Sequence, residues 1–132
     1  MTQITKIIFD QIAAFDLPPR EINNGSCMTF AEAVVEELVR RGEHGAMAVD
    51  VEWFDENWDQ DYAPWHAWIY LNGRWYDAEV PEGVDDWEEL PFWKLWAVDG
   101  FIPKRQPDEA QRVAASADLY RRVHASIAEE LK

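Results

Sequence analysis

Basic side chains are scarce in this sequence. Twelve Lys and Arg stand against 26 Asp and Glu, a formal net charge of −14, which argues against a nucleic-acid-binding surface because neutralising phosphates takes clustered cations. Cysteine is scarcer still. Cys27 is the only one, so there is no internal disulfide framework and a reducing compartment fits. The opening stretch from Met1 to Lys6 lacks the charged-then-apolar build of a secretory leader, and no apolar run approaches membrane-spanning length. These absences lead to the expectation of a cytoplasmic protein with neither nucleic acid nor membrane as a partner. They carry no information about oligomeric state.

Aromatic residues, by contrast, are abundant. Eight Trp, six Phe and four Tyr in 132 residues give far more aromatic surface than a disordered chain carries, so the chain is expected to fold despite its charge. The length suits one domain over residues 1–132, with no repeat, low-complexity linker or compositional shift to mark a boundary.

The reading centres on residues 24 to 39. Phe30, Val34, Val35, Leu38 and Val39 recur at helical spacing behind the turn residues Asn24, Gly25 and Ser26, which offer cap oxygens and place Cys27 in or just before the first turn. Unpaired N–H groups and the positive end of the helix dipole favour a thiolate there, the form of cysteine that attacks electrophiles. Before it, Ile4, Ile7, Ile8, Ile12 and Phe15 share one face of a helix that Asp16-Leu17-Pro18-Pro19 stops. Arg20 to Gly25 reads as a loop. After it, Ala46 to Phe54 alternates as a half-buried strand, and Asp55 to Pro64 is an acidic loop without the turn glycine and closing Glu of a calcium site.

Trp65 to Leu71 and Arg74 to Glu79, separated by Asn72-Gly73, predict a β-hairpin. That register puts His66, Trp68, Tyr70, Trp75, Asp77 and Glu79 on one face, with Asp77 the diagonal neighbour of His66, and Ala67, Ile69, Leu71, Arg74, Tyr76 and Ala78 on the other. Val80 to Val84 reads as a turn-rich exit and residues 85–96 as one or two helical turns. Asp108 to Leu131 reads as a terminal helix with Val113, Ala117, Leu119, Tyr120, Val123 and Ile127 inward. His44 and His124 stand out in no way.

Cys27, His66 and Asp77 are the residue types that nucleophilic thiol chemistry needs: a sulfur to attack an acyl carbon, an imidazole to take and return its proton, and a carboxylate to fix the ring tautomer. Singly, each has a structural explanation: a packed cysteine, a core histidine, a strand-end aspartate. Together and in this order they point to chemistry. Asn23 or Asn24, with the Cys27 backbone N–H, could hold an oxyanion. The same three side chains are possible zinc ligands, but with no second cysteine and no His-x-x-x-His pair the sequence gives metal little support. Most tryptophans belong to the core by default. Trp65, Trp68 and Trp75 are expected along a cleft at the site, with Trp58 and Trp87 as further candidates.

Gly25-Ser26-Cys27-Met28-Thr29-Phe30-Ala31 resembles the nucleophile stretch of papain-like cysteine proteases, and His66-Ala67-Trp68 with Gly73-Arg74-Trp75 resembles the histidine and aspartate strands of transglutaminase-like proteins. The match covers about residues 23 to 79. It departs from the protease pattern at Met28, where Trp is usual, and at Glu21, where the oxyanion glutamine would stand. The resemblance implies an α+β fold of the papain-like/transglutaminase-like type, with a central Cys-bearing helix packed on a small antiparallel sheet and flanking N- and C-terminal helices. It implies Cys27 as nucleophile, His66 as general base and acid and Asp77 as orienting residue, with Glu79 as the alternate third member, since transglutaminase-like spacing from Trp75 selects Glu79. The expected activity is hydrolysis or transfer at a peptide or amide bond without a cofactor. The substrate would be a peptide or protein, of basic character if the acidic residues border the cleft. The alternative is a non-catalytic acidic binding protein on the same fold, imitating DNA or capturing a basic partner.

Overall fold

The computed structural model describes residues 1–130. Helix α1, Gln3–Phe15, is capped by the Thr2 hydroxyl, which accepts the Thr5 N–H, and buries Ile4, Ile7 and Ile8. It ends at Asp16 in the left-handed conformation, just ahead of Pro18-Pro19. The segment expected to be a loop contains instead a short helix, α2, Pro19–Asn23. Pro19 opens it, where a missing N–H costs nothing and a fixed φ already suits the helix. Helix α3 then begins at the cysteine, Cys27–Arg40, and buries Phe30, Ala31, Val34 and Leu38. Contrary to expectation, the Ser26 side chain makes no capping hydrogen bond.

The alternating stretch after α3 is a strand for only half its predicted length. Strand β1 is Met47–Asp50, after which Val51–Phe54 turns into a one-turn helix, α4. The Asp50 carboxylate explains the switch: it accepts the Trp53 N–H at 3.0 Å, capping a helix that hydrophobic alternation alone could not reveal.

Strands β2, Ala67–Leu71, and β3, Arg74–Asp77, form the predicted hairpin, with Leu71 opposite Arg74 and Ile69 opposite Tyr76. Asn72 and Gly73 both take positive φ, as a tight primed turn demands. His66 and Glu79, which an unbroken register would set opposite each other, do not pair, because β2 starts at Ala67 and β3 ends at Asp77. Val80–Val84, read as a turn because of Pro81 and Gly83, is a fourth strand, β4. The sheet order is β1-β2-β3-β4, all antiparallel. As an edge strand, β4 tolerates a proline that an inner strand would not.

The two faces of the hairpin feed two separate cores. Ile69, Leu71, Tyr76 and Ala78 pack with the isoleucines of α1 and with Phe30, Val34 and Leu38 of α3. Trp68, Tyr70 and Trp75 pack with Phe54, Trp87, Leu90, Phe92, Trp93 and Val113. Apart from Phe54 of α4, the second set comes from a 3-10 turn at Trp87–Glu89 and Leu90 directly after it, from helix α5, Pro91–Ala97, and from the start of helix α6, Glu109–Glu130. Leu131, expected to end α6, lies outside the described residues.

Only Val113 and Ala117 of the predicted inward face of α6 are buried; Leu119, Tyr120, Val123 and Ile127 are exposed. The helix is anchored on the aromatic core at its start, where Arg112 donates to the Trp53 carbonyl at 2.8 Å. Its far half is held by polar contacts instead, with His124 Nδ1 at 3.2 Å from the His44 carbonyl. Among the described residues no helix is long and apolar enough to cross a membrane.

Gly83 shows how closely the last strand is fitted. Its φ is +83°, and a Cβ there would lie 2.6 Å from Cε2 of the buried Tyr76 ring. Gly83→Ala combines left-handed strain with overpacking and should cost about 2–4 kcal/mol, read as a lower urea midpoint at unchanged slope.

Candidate active site

Three elements converge on His66. The hairpin supplies His66, directly before β2, and Asp77, the last residue of β3; α3 supplies Cys27 at its first turn. All three are withdrawn from solvent, His66 completely and Asp77 and Cys27 at 2% and 5% exposure. His66 Nε2 lies 3.0 Å from Asp77 Oδ2. The other carboxylate oxygen, Oδ1, accepts the backbone N–H groups of Glu79 at 2.9 Å and Val80 at 3.2 Å. Asp77 is therefore fixed by the bend between β3 and β4, and it fixes the imidazole in turn.

With Nε2–H donating to the carboxylate, the neutral ring carries its lone pair on Nδ1. That nitrogen is buried and has no hydrogen-bond partner of ordinary geometry among the described residues. The Cys27 thiol is close enough for ring and sulfur to perturb each other. Burial pushes the Cys27 thiol up, but the adjacent His66 and backbone hydrogen bonds from Ala67 and Met28 outweigh it and hold the thiol below its ordinary value. Burial likewise pushes His66 down, yet Asp77 and Cys27 overcome it and raise the imidazole above its ordinary value. Both shifts run in the direction of a thiolate beside an imidazolium.

Aromatic rings complete the setting. Phe92 of α5 stacks on His66 at 4.2 Å between centroids and 17° between planes, and Trp68 lies at 5.7 Å and 26°. They keep water from the ring and prevent it from swinging away from Asp77. Phe92 carried no signal in the sequence beyond belonging to an apolar cluster, because its proximity to His66 depends on how α5 folds back.

A cleft of about 310 Å3 opens beside the sulfur, lined by Asn24, Gly25, Cys27, Met28, Thr29 and Trp65. Trp65 lies there as expected, its indole N–H donating to Glu52 at 3.2 Å. Trp68 and Trp75 do not line the cleft: both are buried in the aromatic core, as is Trp87. Alternation predicted their side of the sheet correctly, but that side is covered by α5 and the start of α6.

The two asparagines separate. Asn24 borders the cleft, whereas Asn23 is buried and its Nδ2 donates to Glu79 at 3.1 Å. Glu79 thus engages Asn23, and the carboxylate on His66 is that of Asp77. With Ser26 making no side-chain cap, the first N–H groups of α3 are left for other acceptors beside Cys27.

Among the described residues no group of His, Cys, Asp and Glu is placed to hold a metal ion. Asp77 Oδ2 is directed at Nε2 of the imidazole, whereas a metal needs its ligands to converge on a point.

Asp77→Asn keeps an acceptor for the Glu79 and Val80 N–H groups but removes the charge that favours imidazolium. The Cys27 thiol should titrate at higher pH in this variant, followed by thiolate ultraviolet absorbance. Linkage fixes the sign for stability. His66 is raised on folding, so its contribution is fully present below the ordinary imidazole value of 6.5 and fades as pH rises through the folded value. The stability lost in Asp77→Asn should therefore be largest in mild acid and shrink at alkaline pH, measured by urea unfolding across a pH series.

Comparison of the chain with protein-family models, with curated proteins and with solved structures found no match.

Proposed function

We propose that the protein is a thiol-dependent acyl hydrolase or transferase that acts on a peptide or amide bond, on a fold of the papain-like and transglutaminase-like type. The observation that carries this reading is the buried His66, bound to Asp77 through Nε2 and left free at Nδ1, with a thiol beside it whose ionisation it promotes. A merely structural cysteine would have its pKa raised by burial with nothing to oppose it. The placement of a nucleophile at a helix start and its base at a strand start also agrees with the resemblance in the sequence. A reducing compartment, for which a lone cysteine is suited, would keep Cys27 unoxidised.

The chemistry follows from the positions. The Cys27 thiolate attacks the carbonyl carbon of the bound amide; a C–S bond forms as the carbonyl π pair moves to oxygen. The N–H groups at the start of α3 and the Asn24 amide stand where they can stabilise that oxyanion. As the oxyanion collapses, the C–N bond breaks and His66 delivers its Nδ1 proton to the departing amine. The thioester on Cys27 is then resolved by water or by an amine, whose proton returns to Nδ1. Asp77 keeps its hydrogen bond to Nε2 throughout.

Alkylation by iodoacetamide at about pH 6 tests the activated thiol. Cys27 should react faster than free cysteine, and His66→Ala should slow it by roughly tenfold or more. A native thiol slower than free cysteine would instead favour the acidic binding protein that the net charge of −14 suggests.

A further inference from the structure

A second groove, of about 390 Å3, runs between α3 and α6. Val35, Val39 and Tyr120 give it an apolar lining, and Met28 belongs both to this groove and to the cleft at Cys27. The two depressions therefore adjoin at the residue that follows the sulfur. Beyond Tyr120, Val123 and Ile127 continue the same side of α6 and are 45% and 48% exposed. Glu32 and Glu36 also line the groove. Glu36 is shared with Arg40, while Glu32 has no ion-pair partner among the described residues. His124, also on the groove, is turned to the His44 carbonyl.

We propose that this groove captures the protein whose amide bond Cys27 attacks, by taking a basic segment that carries an apolar anchor side chain; the inference rests on the thiol chemistry above. The anchor fills the space between Val35, Val39 and Tyr120, and Lys or Arg beside it meets Glu32 and Glu36. Because Met28 joins the groove to the cleft, a chain held there leads directly to the sulfur. A second copy of this chain is a poor occupant, since each copy carries a net charge of −14 and the two would repel.

The test uses two labelled peptides of about twelve residues, one of Leu and Lys and one with Glu in place of Lys, titrated by fluorescence anisotropy into the Cys27→Ser protein. The Lys peptide should bind saturably, fade with rising salt and weaken roughly tenfold in Val39→Gln and in Glu32→Lys, while the Glu peptide should not bind. On the unsubstituted protein the Lys peptide should also slow alkylation of Cys27. No saturable binding, equal binding of both peptides, or indifference to both variants overturns the proposal, as does a dimer that Val39→Gln dissolves. Peptide binding that persists while Cys27 alkylates no faster than free cysteine would overturn the thiol chemistry alone.

Discussion

The hydrogen bond between His66 and Asp77 is the constraint on which the rest of the site depends. Burying an imidazole completely is unfavourable if it is to carry charge, and an unpaired buried carboxylate is worse. Each is tolerable only because it holds the other at 3.0 Å and because Oδ1 of Asp77 is already satisfied by the backbone beyond β3. Once Nε2 is committed, Nδ1 is the nitrogen that remains for the thiol. Which ring nitrogen is left unpaired is thus fixed by where the hairpin ends.

The sheet achieves this by keeping its two faces apart. Aliphatic side chains of β2 and β3 receive α1 and α3, while the indoles of the opposite face receive α5 and the first turns of α6. Cys27 belongs to the aliphatic layer through its helix, and His66 stacks in the aromatic layer against Phe92 and Trp68. They meet because both stand at the beginning of their elements, where the chain passes from one layer to the other. A cysteine one turn further along α3 would face hydrocarbon, and a histidine further along its own face of β2, at the position of Trp68 or Tyr70, would be separated from α3 by the sheet.

Much of this was legible in the sequence. Asn72-Gly73 sets the hairpin register, and the register sets which carboxylate can approach His66. What escaped reading had definite causes. Pro81 and Gly83 disguise β4, because an edge strand admits residues that signal a turn. Asp50 cuts β1 short through a cap that alternation does not register. Trp68 and Trp75 were assigned the correct face, but only tertiary packing decides whether a face is covered, and α5 covers it. The same contact makes Phe92 a wall of the site. On α6, helical periodicity identified an apolar stripe, yet only its first turns find a partner, and Tyr120, Val123 and Ile127 remain exposed.

Imidazole and carboxylate lie eleven positions apart on one hairpin, whereas the sulfur arrives on a separate helix. The His66–Asp77 pair and the thiol are therefore two modules, brought together by the docking of α3 on the sheet. Any influence that lifts the start of that helix by a fraction of its diameter separates the sulfur from the ring while the pair on the hairpin stays whole, so the proximity of thiol and imidazole is governed by a joint between layers and can be lost well before the fold is.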